Sequence, residues 1–134
     1  MKSSIFDVEM LLAVFIVLLL SFTAEAQFMH YVGDSVKTGT TSSAAIDLQG
    51  YKPAGIVFPA TFTGATITIT TSADTTSANF KTLQYNGADV SLTATDGKYC
   101  TFKPYEVWGV LRYIKIVSAS SEAATRNLKI YCTR

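Results

Sequence analysis

Beyond residue 43 the chain alternates apolar and polar positions in short runs, and each run stops at a turn residue. "AAIDLQG" puts Ile46 and Leu48 on one face. "AGIVFPA" is nearly all apolar, as in a strand covered on both sides, with Pro59 at its end or at an edge. "ATITITTS" alternates cleanly, with Ile67 and Ile69 inward and Thr66, Thr68 and Thr70 outward. "FKTLQYN" follows a polar loop, and Phe80 and Leu83 flank a bulge in it. Asn86-Gly87 is a hairpin signal, because a type I′ turn needs positive φ at both central residues. "DVSLTAT", a turn at Asp96-Gly97, "KYCTFKP", "VLRYIKIVS" and "RNLKIYCTR" complete the pattern, with Leu128, Ile130 and Cys132 on one side of the last run. About eight short strands at this spacing, with no helical pattern beyond residue 26, predict an all-β domain of the jelly-roll or β-sandwich kind.

The first 26 residues read differently. Met10 to Leu20 is an unbroken run of eleven apolar residues, and Ala24-Glu25-Ala26 would place a signal-peptidase cut before Gln27. Asp7 and Glu9 outweigh Lys2 in the region where a signal carries positive charge. A transmembrane helix needs about 20 apolar residues, so a membrane anchor through residues 10–22 would be short. An uncleaved apolar helix docked on a partner, or a true start at Met29, are the other readings. "GDSVKTGTTSS" is dense in Gly, Ser and Thr and reads as a linker. The expected division is therefore a leader over 1–26, a polar arm over 27–43 and the β-domain over 44–134.

Length and charge add limits. A chain of 134 residues is one domain long, and the part after the leader suffices for one core. From Gln27 onward ten Lys and Arg stand against seven Asp and Glu, a mild excess of +3 without a basic run. That gives no reason to expect nucleic acid as a partner.

Few residues offer chemistry. Cys100 and Cys132 both fall in predicted strands, where they would form a disulfide or remain buried thiols. The sole histidine, His30, falls in the arm, away from any strand end that would anchor a catalytic triad. Asp34, Asp47, Asp74, Asp89, Asp96, Glu106 and Glu122 are scattered over turns and loops, and no pair stands out as a glycosidase couple. Tyr51, Tyr105 and Trp108 are the notable aromatics, and Tyr105 and Trp108 in "KPYEVWG" would form a stacking platform for sugar or a partner, or Trp108 would plug one end of the fold. Arg112 should face away from Leu111 and Tyr113 and pair with a carboxylate or a neighbouring subunit. No cofactor or metal is expected.

Two stretches carry a resemblance. "ATITITTSADTTSANFKTLQYNG" and "WGVLRYIKIVSASSEAATRNLKIYCTR" are similar to discoidin-like, galactose-binding-like jelly rolls. Residues 44–134, especially "IDLQGYKPAGIVFPATFTGATITI" and "RYIKIVS", also resemble small β-sandwich proteins among the structural genes of tailed bacteriophages. The resemblance implies a non-enzymatic virion protein, such as a capsid decoration or cement protein, that works beside other virion proteins or as a homo-oligomer. The flat, Thr-lined "ATITITTS" would then meet another chain along a sheet edge. The leader fits that reading poorly. It suits a secreted or membrane-anchored module that binds a glycan or a cell surface.

Overall fold

The computed structural model describes residues 30–103 and 111–134. These residues fold into antiparallel strands: β1 (His30–Val36), β2 (Ile46–Asp47), β3 (Lys52–Val57), β4 (Thr66–Ser72), β5 (Lys81–Thr82), β6 (Gln84–Tyr85), β7 (Ala88–Asp89), β8 (Ser91–Thr93), β9 (Tyr99–Thr101), β10 (Tyr113–Ser118) and β11 (Arg126–Thr133). A single 3₁₀ turn, Ser77–Asn79, lies between β4 and β5. One sheet has the order β1-β11-β3-β9, and a second has the order β2-β10-β4-β5 with β8 also on β4. β6 and β7 form a separate hairpin.

Both larger sheets send side chains into one core. Ile56 of β3 and Leu128 and Ile130 of β11 come from the first sheet. Ile46 of β2, Ile67 and Ile69 of β4, and Ile114 and Ile116 of β10 come from the second, and all are buried. Phe58, Phe62 and Phe102 fill the space beyond the strand ends, with the Phe58 and Phe62 rings 5.0 Å apart. The alternation read from "ATITITTS", "RYIKIVS" and "RNLKIYCTR" is thus the alternation of the folded strands. Turn chemistry holds as well. Asn86 and Gly87 sit at φ 51° and 79°, the paired positive values of a type I′ turn.

Several expectations need correction. The strands number eleven among the described residues, because "FKTLQYNGADVSLT" does not run as one long hairpin. Leu83 donates to the Ile69 carbonyl and accepts from the Val90 amide, so the chain stays on β4 there. The exposed β6–β7 ribbon then peels away. The supposed arm contains β1, which pairs with β11 along its whole length, from His30 opposite Cys132 to Val36 opposite Arg126. Gly33, Asp34 and Ser35 have low strand propensity, and the acid on the inner side broke the pattern that would have revealed it. Nor is β4 an edge. β10 lies on one side of it and β5 and β8 on the other. The expected apolar leader lies outside the described residues.

Pro53 is accommodated inside β3 by a register shift between Tyr131 and Cys132 of β11, the kind of irregularity at which a missing amide is tolerated.

The burial pattern sets a test of register. Ile69→Ala and Ile116→Ala should each cost about 2–5 kcal/mol in urea unfolding, against roughly 0.5 kcal/mol or less for Thr66→Ala on the exposed side of β4. Equal small losses at Ile69 and Thr66 would show that β4 faces the other way.

Candidate functional site

The outer face of the β1-β11-β3-β9 sheet carries its aromatic side chains in one stripe. Registry makes Tyr31 and Tyr131 cross-strand partners, with Gly55 next in line on β3. A second row runs from Gly33 through Lys129 and Val57 to Tyr99. The Tyr31 and Tyr131 ring centres lie 6.3 Å apart, and those of Tyr131 and Tyr99 lie 5.7 Å apart, edge to face. Tyr31 is 56% exposed and Tyr99 47%.

One glycine, Gly55, lets the Tyr99 ring lie down on the sheet. A Cβ at Gly55 would overlap the Tyr99 ring and come within 2.7 Å of the Cys100 carbonyl oxygen. At Gly33 a Cβ would make only ordinary contact with Tyr31, at 3.5 Å from Cε2. Beside Tyr31 a groove of about 370 Å³ is lined by Gly33, Asp34, Ser35, Asn127 and Lys129. This stripe escaped the sequence reading. Its signal was there, in tyrosines and glycines at outward positions of successive strands, but only the strand order shows that they adjoin.

Most of the sequence candidates serve structure instead. His30 is part of the sheet, not of an arm, and stacks on Tyr51 with ring centres 4.6 Å apart. The Arg134 guanidinium lies 6.0 Å from the centre of the same Tyr51 ring. Arg112 is exposed, lies 3.7 Å from the Asp47 carboxylate and sits over the Tyr113 ring. Tyr105 and Trp108 lie outside the described residues.

Cys100 and Cys132 are free thiols, not a disulfide. Cys132 pairs with Pro53 and Cys100 with Ile56, so β3 lies between them. Two strand spacings of about 4.8 Å already exceed the roughly 7 Å limit between bridged Cα atoms. Burial pushes the Cys132 thiol up to about 11, so it stays protonated and unreactive.

The carboxylates divide. Asp74 caps its own turn by accepting from the Thr76 amide at 2.7 Å and from Asn79, and these bonds hold it below its usual range. Asp96 reaches across the fold to the Phe62 amide at 2.9 Å. Glu122, expected on a loop surface, is buried. It accepts from the Thr63 and Gly64 amides at 3.0 and 3.3 Å, from Ser118 and from Arg126. Burial raises its pKa, but the Thr63 and Gly64 amides and Arg126 outweigh it, so the carboxyl sits below its ordinary 4.5. A carboxylate with its lone pairs so occupied does not serve as a general base. Among the described residues no three His, Cys, Asp or Glu side chains gather as a metal site, and no helix is long and apolar enough to cross a membrane.

Comparison with protein-family models, with curated proteins and with solved structures finds no match for this chain.

Two outcomes follow from this geometry. Gly55→Ala should cost about 1–3 kcal/mol through overpacking and alter the near-ultraviolet tyrosine signal. An unchanged signal would mean that the Tyr99 ring does not rest on β3. Glu122 has a folded pKa below its unfolded value, so its stabilisation is present above about 4.5 and fades as pH falls through the folded value. The stability gap between the native chain and Glu122→Gln, measured by urea unfolding, should therefore be widest near neutral pH and narrow in acid. A constant gap would rule out this carboxylate as an ionised anchor.

Proposed function

We propose that this chain is a non-enzymatic structural protein of a tailed-phage virion, a capsid decoration or cement protein or another head- or tail-associated component, folded as a jelly-roll sandwich. One observation carries the reading: three of the described groups that could do chemistry are engaged by the fold. His30 is stacked on Tyr51, Cys132 is buried and protonated, and Glu122 is surrounded by donors. Function is then left to surfaces. The resemblance of residues 44–134 to phage β-sandwich proteins, carried above all by "IDLQGYKPAGIVFPATFTGATITI" and "RYIKIVS", supports the same reading. Weak contacts suffice on a particle, because many copies multiply them. Partners would be other virion proteins or further copies of the chain.

A second reading has its own support in the tyrosine stripe: an exported or membrane-anchored module for glycans or cell surfaces, with the leader cut before Gln27.

The test is the purified full chain mixed with capsids and spun through a density gradient, with light scattering of the chain alone. The expected result is co-sedimentation with particles or a defined oligomer. A monomer that stays at the top of every gradient would overturn the virion reading.

A further inference from the structure

We infer that the tyrosine stripe on the outer face of the β1-β11-β3-β9 sheet binds an acidic glycan, with Tyr31 as the stacking platform and Lys129 as the partner of the sugar carboxylate. The inference rests on the glycan-binding reading and gives it a site and a ligand charge.

Three features point to sugar. Tyrosine offers an apolar ring face with a polar edge, which suits a pyranose whose one face is C–H and whose rim is hydroxyl. The Tyr99 ring lies over Gly55 instead of standing up from the sheet, and the exposed Tyr31 offers a ring face beside the groove. The groove beside Tyr31 has room for a small ligand at about 370 Å³, and Ser35 and Asn127 supply hydrogen-bonding groups along it. A hydrophobic protein partner would find few aliphatic side chains here, since Val57 is the only one at an outward position of the paired rows.

Charge decides the class of sugar. Registry puts Lys129 in the middle of the face, opposite Gly33 and Val57 and two residues from Tyr131. Lys52 stands at the margin opposite Thr133. The outward positions of these strands carry no carboxylate; Asp34, which also lines the groove, occupies an inward position of β1 and has a buried Oδ2. Lys129 forms no ion pair among the described residues. An unpaired cation between two exposed rings complements a carboxylate on the sugar. Single-stranded nucleic acid fits less well, because it needs a track of several cations for successive phosphates, and this face has two.

The experiment is affinity electrophoresis of the full chain in gels containing polygalacturonate, neutral dextran or oligo-dT. Polygalacturonate should retard the native chain, and dextran should retard it at least tenfold less. Tyr31→Ala should weaken the retardation at least tenfold, and Lys129→Ala should reduce it toward the dextran level. Tyr31 and Lys129 are exposed, and circular dichroism of each variant checks the fold. Lys129→Glu serves as a second variant that should abolish binding outright. No retardation by any glycan overturns the glycan-binding reading itself. Retardation that Tyr31→Ala leaves unchanged overturns only this site, and tighter binding to oligo-dT or to dextran overturns the acidic ligand.

Discussion

One buried acidic residue, through its carboxylate and its backbone, ties together three loops. Glu122 lies in the β10–β11 loop, and its side chain takes the Thr63 and Gly64 amides of the β3–β4 loop. Its backbone carbonyl accepts from Gly39 at 2.8 Å and its amide donates to Thr40, which ties in the β1–β2 loop. Arg126 completes the arrangement by contacting Glu122 and donating to Thr61 Oγ1 at 2.7 Å. Loops seldom bury polar backbone unless a partner is at hand. Here the partner is charged, and charge-assisted bonds are about twice as strong as neutral ones. Gly64 belongs to the same constraint, since a Cβ there would overlap the Ser118 hydroxyl.

The sheets follow from that anchoring. Both β10 and β11 leave from the Glu122 loop and become internal strands, one in each sheet. Fixing this loop therefore fixes where the two sheets begin relative to each other, and the isoleucines of β4, β10 and β11 meet in one core. The inward Asp34 of β1 goes against that economy. A buried, unpartnered carboxylate oxygen costs stability. On an outer strand of the described sheet, however, an inward charge also deters further pairing. The strand rows are thus better suited to meet a partner by the face than by the β1 edge.

Where local pattern and burial agree, the fold was legible in the residues. Ile67, Ile69, Ile114, Ile116, Leu128 and Ile130 could be assigned to the core from alternation alone, and Asn86-Gly87 announced its turn. β1 was not legible, because its centre reads Gly-Asp-Ser and its stability comes from β11, almost a hundred residues away. Glu122 was hidden for a related reason. A lone acid in "ASSEAA" resembles solvent-facing loop, and only the approach of the β3–β4 loop makes it an interior group.

The tyrosine stripe lies further still from local pattern, and its composition is informative. Tyr31, Tyr131 and Tyr99 come from three strands that are far apart in the chain, and each looks ordinary in its own run. Their meeting depends on the β1-β11-β3-β9 order, which no single strand encodes. Packing alone does not require this surface, because the core closes on the other side of the sheet without it. Gly55 also weakens β3, since a strand-interior glycine forgoes side-chain packing and is entropically costly. A cost accepted so that an aromatic ring can lie flat and exposed is hard to assign to stability. It fits the sugar contact proposed for this face.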